Sequence, residues 1–187
     1  ALIGELIKGL DDLGLRDNTT IILWSDHGFH LGEKNHWAKR TLWEESTRVP
    51  LLISGPGISP DIPCEQSVSL IDIYPTLIDL CSLPENENLE GVSLVPQLEK
   101  SKTVRDRPAI TSSYFGNHAV RSQFWRLITY EDGAEELYDH RSDSDEFHNL
   151  ANDPRYKSIK NQLRQWLPKS EEPEFKKISE RDKRLKK

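Results

Sequence analysis

The chain has 187 residues and a formal net charge of −6, and 35% of its residues are hydrophobic. Its length allows one ordinary domain, or one and a fraction. The acidic balance, without a basic stripe that carries interleaved aromatic side chains, argues against nucleic acid as the main partner. A bilayer-spanning helix needs roughly 18–20 apolar residues. No apolar run comes near that length, so we expect no membrane span.

The first residues already carry a helical pattern. Leucine and isoleucine recur at helical spacing from Leu2 to Leu13, which predicts an amphipathic helix that ends near Gly14. Neither a methionine nor a signal peptide precedes this helix. We therefore expect the chain to be the C-terminal part of a longer protein, and the missing N-terminal part to be its partner.

Strands and a long loop are predicted next. The apolar run at 19–25, rich in β-branched residues, predicts a strand buried on both faces, as in a parallel sheet. A polar loop follows at 26–47, and a second strand is predicted at 49–53. A helix followed by a strand fits one crossover unit of an α/β layer. Asp72 is expected to cap a helix that runs to about Cys81.

The two cysteines, Cys64 and Cys81, match no metal-binding spacing. Cys81 lies in an apolar stretch with helical character. We expect two small, buried or half-buried thiols, although a disulfide between them stays open.

Composition changes around residues 99–107, where charged side chains precede a proline. We place a boundary there, between an α/β domain at 1–104 and an α+β subdomain at 105–168. The almost entirely charged end, 169–187, is expected to be a solvated and partly disordered tail.

The second unit is predicted to be a small antiparallel sheet with one helix packed on it. Its strands are expected at 109–114, 119–130 and 135–139. Asp132-Gly133 is a good hairpin turn before the last strand. Asp153 as the N-cap and Pro154 at the first helical position open the helix.

The triplet Asp26-His27-Gly28 directly follows the first predicted strand. In open α/β sheets, ligands collect at the carboxyl ends of strands. The Asp26 carboxylate suits a hard cation such as Ca²⁺ or Mg²⁺, whereas the His27 imidazole suits Mn²⁺ or Zn²⁺. A metal site is therefore indicated, with the metal left open. The alternative is that Asp26 caps a turn and His27 makes local hydrogen bonds.

Three further polar residues of the same loop could take part in chemistry. Lys39 can place a compact positive charge on a sulfate or phosphate oxygen, although a lone loop lysine is usually only solvated. His30 and His36 could act as acids, bases or substrate contacts, since histidine titrates near neutral pH. Ordinary surface histidines are the alternative.

These motifs and their order resemble the sulfatase family of the alkaline-phosphatase-like superfamily. The resemblance begins with the segment from Ile21 to Gly57, IILWSDHGFHLGEKNHWAKRTLWEESTRVPLLISGPG. It continues through SLIDIYPTL at 69–77, GVSL at 91–94, AVR at 119–121, ELYD at 136–139 and NLA at 149–151. It covers roughly residues 1–168. The SDHG, LGE and WAK motifs are most similar to those of iduronate-2-sulfatase-like enzymes.

The resemblance implies a fold and roles for individual residues. It implies the C-terminal part of an α/β sulfatase sheet, followed by a small antiparallel-sheet-and-helix subdomain. Asp26 and His27 match metal ligands around one Ca²⁺, and Lys39 matches the catalytic lysine that holds the sulfate. His36 and His118 are candidate substrate contacts. Arg121 matches a recurrent arginine that we assign to domain packing rather than to substrate contact.

One departure from the family pattern is decisive. Sulfatases use a formylglycine made in a C/S-x-P-x-R motif, and neither cysteine nor any serine of this chain lies in such a motif. The family's early aspartate pair is absent too. We expect the nucleophile and most metal ligands in the missing N-terminal part, so the chain alone should be inactive.

The activity that the resemblance implies for the intact protein is hydrolysis of sulfate esters. A sulfated sugar or glycosaminoglycan is the expected substrate, and an extracytoplasmic location (periplasmic, secreted or lysosomal) is implied. One alternative is a phosphodiesterase or phosphonate monoester hydrolase of the same superfamily, which an upstream serine or threonine nucleophile would indicate. Another is a non-catalytic structural fragment.

Overall fold

The computed structural model describes residues 2–59 and 63–171. Helix α1, Leu2–Asp12, confirms the predicted first helix. It ends where the Leu15 N–H donates to the Leu10 carbonyl, and where Gly14 takes a φ of 66°, a conformation that glycine adopts at little cost. None of the helices in these ranges is long and apolar enough to cross a membrane.

Strand β1, Ile21–Trp24, pairs antiparallel with strand β2, Leu51–Ser54. The expected parallel, doubly buried strand is therefore wrong for this chain. Trp24 lies opposite Leu51, and its side chain is 49% exposed. An apolar run predicts that a strand is buried, but it does not predict the direction of the neighbouring strand. The direction of its partner depends on the long loop, which here returns the chain to the same end of β1.

Helix α2, Glu44–Thr47, is a single turn before β2, and the segment after β2 holds two short helices, α3 at Ile73–Leu80 and α4 at Val95–Glu99. Asp72 stands at the predicted N-cap position of α3, but its side chain makes no capping hydrogen bond to that helix, and a 3-10 turn at Leu70–Asp72 leads into it. Ser69 caps this turn in a capping box, and its N–H donates to Asp72 Oδ2 at 2.7 Å. The sequence pattern located the helix, but not the turn before it.

Asp72 has a different role from the predicted one. Its carboxylate is 1% exposed and accepts hydrogen bonds from the Val92 N–H at 2.9 Å and from Arg105 Nη2 at 2.8 Å. A buried carboxylate needs such partners, because an unpaired buried charge is costly. Asp72 thus ties α3 to the segments around Val92 and Arg105.

Both cysteines are free thiols, as expected, but both are exposed. The expectation of burial is therefore wrong for both, and Cys81 is exposed because it lies just after α3, where the helix has ended.

The second sheet has four antiparallel strands in sequential order, β3–β4–β5–β6. They are β3 Ala109–Ser112, β4 His118–Arg121, β5 Trp125–Thr129 and β6 Glu135–Asp139. The single strand expected at 119–130 is wrong, because a tight turn divides it. Ser122 and Trp125 close this turn, with the Ser122 N–H donating to the Trp125 carbonyl at 2.9 Å. The predicted turn at Gly133, with a φ of 85°, is confirmed.

Helix α5, Lys157–Arg164, covers one face of this sheet, so the predicted sheet-and-helix unit is confirmed. The Asp153 carboxylate accepts the Arg155 N–H at 2.9 Å and so caps the 3-10 turn Pro154–Tyr156, which runs directly into α5, as the predicted cap requires. The core between α5 and the sheet contains Val120, Leu127, Leu137, Ala151 and Leu163. On the other face, Leu42 from the long loop packs with Ala119, Ile128 and Tyr138. The sheet therefore supports the loop at 26–47.

The boundary at 104/105 stays a prediction, and the Asp72–Arg105 ion pair shows that contacts cross it. Most of the predicted tail, from residue 172 onward, lies outside the described residues.

Candidate active site

The loop after β1 is held close to the start of β2 by Gly28. Its N–H donates to the Ser46 carbonyl at 2.9 Å. A Cβ at this position would lie 2.0 Å from the Glu45 carbonyl oxygen, far inside van der Waals contact. Only glycine lets the two backbone segments come this close. Their contact places Asp26 and His27 beside the residues that lead into β2.

Three of the predicted site residues come together here. Lys39 Nζ lies 2.7 Å from His27 Nε2, and Asp26 Oδ2 lies 3.7 Å from the same ring nitrogen. The Asp26 side chain is 84% exposed, whereas the His27 side chain is about one-third exposed. A carboxylate, an imidazole and an ammonium group thus converge at the end of β1.

The His27 ring is oriented by its own backbone. Its Nδ1 lies 2.7 Å from the Gly28 carbonyl oxygen, so Nδ1 carries the proton and donates. In the neutral ring, Nε2 then carries the lone pair, which accepts a hydrogen bond from Lys39 Nζ at 2.7 Å and which a bound cation would take in place of Lys39. Histidines that bind metals commonly have their second nitrogen held in this way.

This donor pair fits part of a cation site. A carboxylate oxygen suits Ca²⁺, which takes about 6–8 oxygen ligands. In the described part of the chain, no lysine or arginine forms an ion pair with Asp26, which leaves the carboxylate able to bind a cation. Asp26 and His27 alone are too few for a complete site.

His36 lies in a different environment from the first three residues. Its ring is edge-on to the His30 ring, with centroids 5.1 Å apart, and 6.5 Å from the Trp43 ring. Its Nε2 is buried without a hydrogen-bond partner among the described residues. The structure brings His36 into the loop core rather than against Lys39, and its substrate contact stays a prediction.

His118 is buried on β4, where both of its ring nitrogens are hydrogen-bonded. Nδ1 lies 2.8 Å from Ser112 Oγ, and Nε2 lies 2.8 Å from Glu171 Oε1. The described contacts include none between His118 and Asp26, His27 or Lys39. Its contact with substrate therefore stays a prediction, as does that of His36.

A buried ion network behind the loop was missed by the sequence analysis. Glu44, at the start of helix α2 (Glu44–Thr47), forms ion pairs with Arg126 on β5 and with Arg121 on β4. Arg126 Nε also lies 2.6 Å from Glu146 Oε1, which in turn pairs with His140. The sequence does contain a signal for this network, because Arg126 is a charged residue within the otherwise apolar strand WRLIT.

The same network could be mistaken for a metal site. Ligand atoms of Glu44, His140 and Glu146 lie within 4.8 Å of one another. The guanidinium groups of Arg121 and Arg126 already neutralise these carboxylates, so a cation would have to displace them. The arrangement instead joins α2 to the sheet, which supports the packing role assigned to Arg121.

A second set of contacts joins the loop to the sheet through Glu136. The Trp43 Nε1–H donates to Glu136 Oε2 at 2.6 Å, and the Tyr130 hydroxyl donates to Oε1 at 3.1 Å. Burial and the nearby Glu136 charge raise the pKa values of Tyr130 and Tyr138. Both phenols therefore remain protonated donors, and Glu136 holds Trp43 in place.

Comparison with protein families gives two matches. Residues 32–173 match the model for N-sulphoglucosamine sulphohydrolase, C-terminal. Residues 1–49 match the model for type I phosphodiesterase / nucleotide pyrophosphatase.

Curated relatives are similar over most of this chain. A sulfatase from Formosa agariphila is 40% identical over 168 residues, which cover 90% of this chain and 33% of the relative. Arylsulfatase K from Bos taurus is 38% identical over 167 residues, with 81% and 31% covered. The chain thus spans about a third of the length of these relatives. They leave the predicted likeness to iduronate-2-sulfatase unconfirmed.

Solved structures share the fold. BT4656, in complex with its substrate D-glucosamine-2-N,6-O-disulfate, superposes with a TM-score of 0.71 at 30% identity, over 87% of this chain and 36% of that one. Phosphonate monoester hydrolase of Agrobacterium radiobacter superposes with a TM-score of 0.68 at 26% identity, with 87% and 36% covered.

Proposed function

This chain belongs to the sulfatase family, and from that membership we propose that the whole protein hydrolyses sulfate esters of a sulfated sugar. The family match covers residues 32–173, and therefore includes Lys39 and the four-stranded sheet that supports the loop.

One observation carries the proposal: Lys39 Nζ lies 2.7 Å from His27 Nε2. Lys39 can bind an anion, and the Asp26–His27 pair can bind a cation. Because the two lie side by side, both can act on one sulfate group. Sulfate-ester hydrolysis requires that combination, because negative charge on the sulfate oxygens must be stabilised as the ester bond breaks.

In this proposal, the charge of each site residue determines what it binds. Lys39 donates to an oxygen of the transferring sulfuryl group and stabilises its charge. Asp26 and His27 would hold a divalent cation, for which Ca²⁺ is our assignment; when bound, it withdraws charge from sulfate oxygens and favours the ionised nucleophile. A formylglycine nucleophile, which this chain does not contain, is assigned to the rest of the protein.

A sulfated sugar is proposed as the substrate because BT4656 binds a sulfated glucosamine and shares this fold. We propose an extracytoplasmic location, which the same family assignment supports. The isolated chain, without a nucleophile, is proposed to be inactive.

The test is a Lys39→Ala variant of the intact protein, assayed with glucosamine sulfates and an aryl sulfate. Loss of one preorganised donor to a developing oxyanion costs about 10²–10³-fold in kcat, and we expect a loss of that order. Lys8→Ala is the matched control, since Lys8 is an exposed lysine on α1 whose ion-pair partner among the described residues is Asp12, four residues on. Near-normal turnover by Lys39→Ala would refute the assignment.

A second candidate is phosphonate monoester or phosphodiester hydrolysis. The match of residues 1–49 to the type I phosphodiesterase model favours it. Lys39 would act on a phosphoryl oxygen in the same way. Comparing kcat/KM for an aryl sulfate and an aryl phosphonate monoester on the intact protein distinguishes the two, and a higher value for the phosphonate would replace the sulfatase proposal.

A further inference from the structure

We propose that His30 is a positioning residue that holds the backbone around Lys39, so that the Lys39 ammonium group faces His27. The inference rests on the function proposed for Lys39. It follows from the contacts of His30, which reach both sides of Lys39 although His30 itself lies nine residues earlier.

The first contact is made by the backbone. The His30 N–H donates to the Ala38 carbonyl at 3.0 Å, directly before Lys39. The Gly32 N–H donates to the His36 carbonyl at 3.1 Å. These two hydrogen bonds close residues 30–38 into a compact loop, and Lys39 leaves it at a fixed point.

The second contact is made by the imidazole. His30 Nε2 lies 2.7 Å from Thr41 Oγ1, two residues after Lys39. Nδ1 has no partner among the described residues. An unpaired acceptor is less costly than an unpaired N–H, so we assign the proton to Nε2, which donates to Thr41. His30 therefore holds Ala38 and Thr41, the two neighbours that flank Lys39 and Arg40.

The His30 ring is itself immobilised. It is 0% exposed and lies edge-on to the rings of His36 and Trp43, with centroids 5.1 and 5.8 Å away. Glu136 holds Trp43 from the sheet. Burial lowers the pKa of His30, with the nearby His36 adding to the effect. A neutral ring keeps the single Nε2–H donor that the Thr41 contact needs.

The backbone that His30 holds is not in a relaxed conformation. Arg40, next to Lys39, has a φ of 75°, and Lys34 and Asn35 have φ values of 52° and 57°. Non-glycine residues with positive φ persist only where surrounding contacts enforce them. The hydrogen bonds of His30 to Ala38 and Thr41 enclose Lys39 and Arg40, and so provide that enforcement.

The experiment uses the intact protein with His30→Phe and Thr41→Val. Phenylalanine keeps an aromatic ring in the core but has no donor, and valine keeps the shape of threonine without its hydroxyl. Misplacement of a catalytic group by about 1 Å can cost 10²-fold, so we expect each variant to lower kcat by about 10–100-fold. Thr47→Val is the matched control, because its hydroxyl donates to the Trp43 carbonyl and not to the Lys39 segment.

A double-mutant comparison separates positioning from general damage. If His30 acts through Lys39, His30→Phe should cause no further loss of kcat in a Lys39→Ala background. An equal loss in both backgrounds, or normal kcat in both single variants, would overturn the proposal.

Failure of the proposed function has a different signature. It would appear as no sulfate-ester hydrolysis by the wild-type protein. In that case crystal structures of wild type and Thr41→Val decide the positioning role, which predicts that Lys39 Nζ leaves His27 Nε2 only in the variant. An unchanged 2.7 Å contact in Thr41→Val would contradict it.

Discussion

Replacing Glu44 by glutamine should destabilise the protein by about 3 kcal/mol at pH 7. Burial would raise the pKa of Glu44, but attraction to Arg126 and Arg121 outweighs it and lowers that pKa from 4.5 to about 2. At about 1.4 kcal/mol per pKa unit, this gap corresponds to about 3 kcal/mol in favour of the folded state. Glutamine would keep the size of the side chain and leave the two guanidinium groups without this carboxylate.

The pH dependence has a definite sign. Because the pKa of Glu44 is lower in the folded state, its contribution is complete well above pH 4.5 and is lost as the pH falls towards 2. At pH 3, roughly 1.4 kcal/mol should remain. The difference between wild type and Glu44→Gln should therefore shrink by more than half between pH 7 and pH 3.

Urea unfolding of the intact protein at both pH values, followed by tryptophan fluorescence, measures this difference. Glu45→Gln is the matched control, since the described residues hold no ion-pair partner for Glu45. We expect it to change stability by less than about 0.5 kcal/mol. A Glu44→Gln effect below about 1 kcal/mol at pH 7, or one that stays constant to pH 3, would refute the reasoning.

Three further outcomes are expected. Gly28→Ala should lower the free energy of unfolding by about 1–3 kcal/mol and abolish turnover, because the new Cβ would collide with the Glu45 carbonyl. Calorimetry measures the stability change, and Gly9→Ala is its control: Gly9 lies in open space on α1, so this variant should be unchanged or more stable. Trp43→Phe should cost about 1 kcal/mol in urea unfolding through loss of the hydrogen bond to Glu136, and a neutral result would argue against that contact. Calorimetry of this chain alone with Ca²⁺ should show no tight binding, and submicromolar affinity would show that its cation site is complete.

Local features were predictable because they depend on neighbours in sequence. Helix α1 and its glycine stop follow from side-chain periodicity, and the Asp153 cap follows from the residue types at a helix start. The convergence of His27 and Lys39 was also anticipated, since both belong to one loop at the end of one strand.

Other features depend on where distant segments meet. The sequence pattern indicated that Asp72 begins a helix, but its partner Arg105 is 33 residues away. The environment of His118 likewise depends on Glu171, at a separation of 53 residues. A motif cannot reveal such partners, because it reports only the chain on either side of it.

By itself, the sequence determined the family, the strand-end triplet Asp26-His27-Gly28 and the lysine that follows it, since these are patterns of residue type and spacing. Only the tertiary structure decided that β1 and β2 run antiparallel, and that Glu44 meets Arg126 across 82 residues. The physical reason is that hydrophobic periodicity encodes which side of an element is buried. Buried charges are stable only when the folded chain brings their partners to them.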